Sequence, residues 1–170
     1  MDLKSFIRDI PDFPAKGIIF RDITPLLSNS DAFREAVDTL CSAVSDLDYE
    51  IIVAPEARGF ILGSAMAYKE GKGFVPVRKP GKLPYKTVSQ EYQLEYGTEI
   101  LQIHEDAIKK GQKVLIVDDV LATGGTAETL IKLVEKLGGE VVALAFLIEL
   151  SYLKPREKLK GYRVETIIVY

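Results

Sequence analysis

Cysteine and histidine are almost missing from this chain: Cys41 and His104 are the only ones among 170 residues. A single cysteine excludes an internal disulfide and suits a reducing compartment. Cys41 falls in a helical pattern over 31–47 and reads as a buried structural thiol. With one cysteine and one histidine there are no parts for a zinc cluster or a Cys-His catalytic pair. An excess of positive charge is lacking too. Twenty-two basic against 25 acidic residues give a net charge of −3, so no global field draws in nucleic acid or an anionic membrane. An anionic ligand must be met by local cations. The longest apolar run, 141–148, is far short of the ~20 residues that span a bilayer. No basic start followed by an apolar stretch reads as a signal peptide. The expected location is the cytoplasm, without membrane or nucleic-acid partners. The length fits one domain, residues 1–170, with room for its own core.

Against these absences, one run stands out: Val114-Leu115-Ile116-Val117-Asp118-Asp119-Val120-Leu121-Ala122-Thr123-Gly124-Gly125-Thr126. Its apolar, mostly β-branched start reads as a buried strand, with two carboxylates at the C-terminal end. The small-residue turn then feeds a helical pattern beginning near Ala127. Glycines let backbone approach a ligand, and the free N–H groups of a helix start attract an anion. A carboxylate cannot hold phosphate, but it accepts hydrogen bonds from sugar hydroxyls. The run therefore offers the two ends of a 5-phosphoribosyl group what each requires. A Walker A loop would need a lysine after the glycines, and none follows. A dinucleotide fingerprint would place its acid about twenty residues after its glycines, whereas here the acids come first. The remaining alternative is an exposed acidic turn before an ordinary Gly-rich connection.

Along the chain there is no repeat, low-complexity tract or interdomain linker. The apolar spacing Phe33, Val37, Leu40, Val44, Leu47 predicts a helix over 31–47 with Asp31 as N-cap. A short strand over 51–54 leads through a turn at 55–59 into a second helix that runs to residue 68. Residues 73–78 read as a strand, and 79–89, rich in Pro, Gly and Lys, as a mobile loop. Residues 92–95 and 98–104 pair as a hairpin extension. Strands over 113–118 and 141–148 flank a helix over 127–137, and 164–170 is a closing strand. Apolar strands alternating with amphipathic helices predict an α/β fold whose central, mostly parallel sheet is covered on both faces. In such sheets ligands bind beyond the carboxyl ends of the strands. Asp118-Asp119, 56–59 and Arg78-Lys79 all fall at such ends and can share one crevice.

The 114–126 run resembles the PRPP (5-phosphoribosyl-1-pyrophosphate) motif of the type I phosphoribosyltransferase family, and the similarity extends over nearly the whole chain. The segment Phe13-Pro14-Ala15-Lys16-Gly17-Ile18-Ile19-Phe20-Arg21-Asp22-Ile23-Thr24-Pro25-Leu26-Leu27 is similar to the base-binding segment of the family's adenine-using members. Glu56-Ala57-Arg58-Gly59-Phe60, Arg78-Lys79-Pro80-Gly81-Lys82-Leu83-Pro84, Tyr92-Gln93-Leu94-Glu95-Tyr96-Gly97 and Glu149-Leu150 match further segments in family order. Ala15 stands where proline is frequent, and Pro155 where glycine is frequent; neither falls on an atom the chemistry uses. The resemblance implies that fold, with a small N-terminal hood and a mobile hairpin loop, and usually a homodimer. It implies transfer of phosphoribose from PRPP to adenine with Mg²⁺, giving AMP and pyrophosphate.

The resemblance also implies roles. Ala122, Thr123, Gly124, Gly125 and Thr126 would take the 5′-phosphate, and Asp118 and Asp119 the ribose hydroxyls. Magnesium would be held mainly by substrate oxygens, with Asp118 and Asp119 as its candidate protein partners. Glu56, Ala57, Arg58 and Gly59, together with Lys79 and Lys82, would meet pyrophosphate, with Glu56–Ala57 the place of a non-proline cis peptide. Read alone, each lysine is as easily solvated decoration. Phe20, by itself a core aromatic, would stack on adenine opposite Leu150, while backbone groups of Ile19 and Arg21 read the purine edge. Glu95, by itself a polar side chain on an exposed strand, would exchange a proton with N7 of adenine; Arg58 and Lys82 complete the catalytic set, and Tyr96 would help close the lid. A PRPP-sensing regulator would carry a DNA-binding domain, and neither a helix-turn-helix nor a basic stripe is found. The Ile19-Phe20-Arg21-Asp22 segment favours adenine over xanthine, guanine or orotate.

Overall fold

A computed structural model describes residues 1–94 and 96–170. The chain divides into two compact units, Met1–Thr39 and Leu40–Tyr170. In the first, β1 (Arg8–Pro11) and β2 (Ile19–Asp22) form an antiparallel hairpin in which Ile10 faces Phe20. A short α1 (Thr24–Ser28) follows, and α2 (Ser30–Ala43) contains the boundary between units. The predicted N-cap is corrected here: Asn29, not Asp31, accepts from the Ala32 N–H at 2.9 Å. The helix also stops at Ala43, four residues before the predicted end, where the hydrogen bonds of Val44 and Ser45 tighten to the i−3 carbonyls.

The second unit holds β3 (Ile51–Pro55), α3 (Arg58–Glu70), β4 (Gly73–Val77), the hairpin β5 (Thr87–Leu94) and β6 (Gly97–His104), β7 (Lys113–Leu121), α4 (Gly125–Lys136), β8 (Glu140–Glu149) and β9 (Val164–Val169). Five of these strands form one sheet in the order β4-β3-β7-β8-β9, and every pairing is parallel. Side chains alternate between its faces. Ile52 and Ala54 meet α3, whose Gly63 lies so close that a Cβ there would be 3.0 Å from the Ala54 Cβ. Val53, Ile116 and Phe146 join Leu130, Leu133 and Val134 of α4 in the main core, which also takes Leu101 and Ile103 from the hairpin. The central parallel sheet flanked by helices is the predicted one. Among the described residues, no helix is long and apolar enough to cross a membrane.

Most boundaries shift from the sequence reading by one or two residues, and two of the differences adjoin the acid pair and the hairpin. The hairpin begins at Thr87, so 87–89 are strand rather than loop, because Thr87 and Val88 find partners in His104 and Ile103. Strand β7 continues past its acids to Leu121, since Val120 and Leu121 pair with Ile148 and Glu149.

Candidate active site

The two crossovers leave the middle of the sheet in opposite directions. Strand β3 passes through α3 to β4 on one side, and β7 passes through α4 to β8 on the other. Such a switch point opens a crevice beyond the strand ends. Pairing between β3 and β7 ends at Val53 and Ile116. Asp118 and Asp119 therefore stand beyond the last bond to β3, at the mouth of that crevice.

Asp118 accepts the Asp119 N–H at 2.8 Å. Burial raises the Asp118 carboxyl well above its ordinary value, and the neighbouring Asp119 carboxylate pushes the same way. Asp119 is only 4% exposed, and its carboxylate is bonded by the Arg58 guanidinium. Arg58 opens α3 directly after the Glu56–Ala57 peptide, which is cis. A Cβ on Gly59 would lie 2.9 Å from Asp118 Oδ1, so the turn's backbone reaches the acid itself. Turn 56–59 and the acid pair form one corner.

The adjoining corner is the start of α4. Gly124, its N-cap, has φ 92°, a left-handed value that glycine adopts without strain. A side chain at Gly124 would also meet the Pro155 carbonyl at 2.9 Å. The first N–H groups of α4 have no acceptor within the helix. Beside them lies a small cavity of about 60 Å³ lined by Asp118, Leu121, Ala122, Thr123, Gly124 and Thr126. Partial positive charge at a helix start, backbone donors and hydroxyls suit a phosphate ester; the Gly125 N–H meanwhile reaches Thr123 Oγ1 at 3.5 Å. Behind the loop, Arg156 donates from Nε and Nη2 to buried Glu149 at 2.9 and 3.0 Å, and Thr166 donates at 2.8 Å. The Arg156 bond comes first in holding Glu149 below the usual carboxylate range, against burial. This clamp fixes the segment whose Pro155 abuts Gly124.

Glu56 gathers the cations. Its Oε1 accepts from Arg78 Nε at 3.1 Å and the Lys79 N–H at 2.9 Å, and its Oε2 accepts from Lys82 Nζ at 2.9 Å. Burial would raise this carboxyl, but Lys82, the Lys79 N–H and Arg78 together hold it low. Lys82 is thereby held to the rim of the turn, while the Arg78 backbone bridges Gln102 of β6 and ties the hairpin to the sheet.

In the first unit Ile19 is 45% exposed, Phe20 packs edge-on against Phe13 with centroids 5.3 Å apart, and Arg21 pairs with Asp9 at 2.8 Å. Leu150 is buried and donates its N–H to the Leu121 carbonyl. Glu95 lies outside the described residues; its neighbour Tyr96 is 92% exposed. Among the described residues no group of three or more His, Cys, Asp or Glu could hold a metal. Two adjacent carboxylates fit an ion that keeps waters and substrate oxygens, as magnesium does.

The second unit thus brings together the acids, the Arg58 turn and the start of α4, with Lys79 and Lys82 reaching the same turn through Glu56. The sequence reading gave no part to Arg156, and named Pro155 and Tyr92 without one: Arg156 and Pro155 brace the start of α4, and the Tyr92 hydroxyl lies 3.4 Å from Thr126 Oγ1. The Thr-Gly-Gly pattern signals a tight loop but not what stands behind it.

Acids beside a helix start at the switch point of a parallel sheet suit a pentosyl-phosphate ligand. The chain belongs to the phosphoribosyltransferase family: residues 27–168 match the phosphoribosyl transferase domain. Within that family it falls among the adenine phosphoribosyltransferases. It is 78% identical to the one from Thermotoga sp. strain RQ2 over 170 residues, all of both chains. The crystal structure of adenine phosphoribosyltransferase from Thermoanaerobacter pseudethanolicus aligns with TM-score 0.98 at 54% identity, covering 99% of this chain and 98% of that one. The Saccharomyces cerevisiae enzyme, complexed with D-2,5-dideoxy-2,5-imino-altritol 1,6-bisphosphate and adenine, aligns with TM-score 0.92 at 39% identity, covering 98% and 97%.

Proposed function

We propose that this chain transfers the 5-phosphoribosyl group of PRPP to adenine as a single 170-residue domain. The bond from C1′ to pyrophosphate breaks, the bond from C1′ to N9 forms, and the N9 proton leaves. One observation carries the reading: the acid pair sits between the Arg58 turn and the α4 cradle, so sugar, leaving group and phosphate ester have adjacent places. The adenine found with the yeast relative supports the choice of base.

Displacement at an anomeric carbon runs through a loose, oxocarbenium-like state. The protein's work is then to hold the sugar and to offset charge where it develops. The backbone of Ala122, Thr123, Gly124, Gly125 and Thr126, with both threonine hydroxyls, anchors the 5′-phosphate. Asp118 and Asp119 accept from the ribose hydroxyls. The turn Glu56–Gly59 offers backbone N–H groups to pyrophosphate, with Arg58, Lys79 and Lys82 supplying charge. Lys82 exchanges its Glu56 partner for the departing anion. Ile19, Phe20, Arg21 and Leu150 are assigned to adenine on the family resemblance. Asp118 and Asp119 would be the protein-side partners of a magnesium ion, which would supply charge neutralisation for the diphosphate. A homodimer acting in the cytoplasm completes the proposal.

Product formation from PRPP, magnesium and a panel of adenine, guanine, xanthine and orotate tests the assignment. AMP alone is expected. Turnover of a 6-oxopurine in preference to adenine would overturn the base, and no turnover at all would favour a PRPP sensor. Glu95→Ala is expected to lower kcat by at least about tenfold while changing PRPP affinity little. An equal loss in both would remove Glu95 from proton transfer.

A further inference from the structure

Tyr92 has no role in that mechanism, yet it stands where the hairpin meets the phosphate cradle. It pairs across the hairpin with Glu99, and its ring packs against the core that α4 shares. Its hydroxyl donates to Glu99 Oε2 at 3.1 Å and lies 3.4 Å from Thr126 Oγ1. A Cβ on Gly125 would come within 3.5 Å of the Tyr92 ring, so hairpin and helix start are in van der Waals contact. Burial raises the Tyr92 hydroxyl; the Thr126 contact opposes, and Glu99 and Asp118 add to the rise. Near neutral pH the phenol is a donor with one proton.

We propose that Tyr92 is a positioning residue that couples an occupied phosphate cradle to the hairpin carrying Glu95 and Tyr96. The inference rests on the phosphoribosyl reading of the cradle. Proton counting supplies the reason. A carboxylate accepts only, so the phenol proton goes to Glu99, which leaves the Thr126 hydroxyl as the donor for the 3.4 Å contact. A phosphate ester is charged and a stronger acceptor than a phenol. Once it fills the cradle, Thr126 turns its one proton to the phosphate and presents only lone pairs to Tyr92. The phenol proton is then drawn between Thr126 and Glu99. The cross-strand bond next to the hairpin tip weakens when, and only when, the cradle is full. Sugar-phosphate binding thus loosens the pairing of β5 with β6 beside the cradle.

Hydrogen exchange of the amides in 87–104, with and without saturating ribose 5-phosphate, reads this coupling. In the wild type the ligand is expected to speed exchange around 92–99 about fivefold, the worth of one hydrogen bond. Tyr92→Phe keeps the ring packing. It should abolish the ligand-dependent change, leave ribose 5-phosphate affinity by calorimetry within about threefold, and lower kcat more than the KM for PRPP. Glu99→Gln, a weaker acceptor, should shrink the change. A purely structural Tyr92 would leave the ligand response intact in the Phe variant, and that result overturns the proposal. Wild-type binding of ribose 5-phosphate without any hairpin response overturns the coupling alone. No binding by the wild type overturns the phosphoribosyl reading and the coupling together.

Discussion

Gly59→Ala will lower kcat/KM for PRPP by about a hundredfold, the usual cost of an ångström of misplacement at a reacting centre. Gly59 is buried in the first turn of α3, and an added Cβ would sit 2.9 Å from Asp118 Oδ1 and 2.9 Å from the Pro55 Cδ. Neither neighbour yields easily. Asp118 is bonded to the Asp119 N–H, and Pro55 is the last residue of a central strand. Turning Asp118 aside breaks its bond to the Asp119 N–H, and moving Pro55 spreads the end of β3 from β7; either displaces the Arg58 turn from the acids. Overpacking of this kind also costs about 1–3 kcal/mol of stability, so Tm should fall with activity. Steady-state kinetics beside a thermal melt separate the two effects. An alanine variant with wild-type kcat/KM would show that the turn and the acid pair do not work as one corner.

The parts of this corner were unequally legible in the sequence. Apolar periodicity exposed the parallel sheet because buried strands have no polar alternative, and the acid pair stood out against Val114–Val117. Beyond the acids the same logic misled: polar side chains suggested a strand end, whereas backbone pairing to β8 ignores side-chain polarity and carries β7 to Leu121. Asn29 was passed over as a cap because Asp31 has the same chemistry two residues on, and only backbone geometry chooses between them. Glu56 was assigned to pyrophosphate with its turn, but three bonds from Arg78, Lys79 and Lys82 make its carboxylate the holder of those cations. Contacts such as Tyr92 to Thr126 and Pro155 to Gly124 join segments over 30 residues apart. No local pattern encodes them.

Replacing Asp118 and Asp119 together by asparagine will weaken PRPP binding by about 10²–10⁴-fold. Charge-assisted bonds are worth roughly 1.5–3 kcal/mol each, and both carboxylates are assigned to ribose hydroxyls. Unchanged affinity by calorimetry would remove them from the sugar. The single Asp118→Asn exchange isolates a further consequence, because it should stabilise the fold while impairing binding. Unfolded, Asp118 loses its proton near the ordinary 3.8; folded, burial and Asp119 make it hold that proton to higher pH. Between those points the folded state binds more protons than the unfolded, so rising pH costs stability. Asparagine removes that loss and still offers an oxygen to the Asp119 N–H. The Tm of the variant should therefore exceed the wild type near neutral pH, with the gap closing as pH falls toward about 4. A gap independent of pH would mean that Asp118 carries no strained charge. A variant less stable than the wild type at every pH would mean that its hydrogen bonds outweigh its desolvation. The expected opposition, tighter folding with poorer binding, is the mark of a carboxylate kept in an unfavourable place for the ligand it must meet.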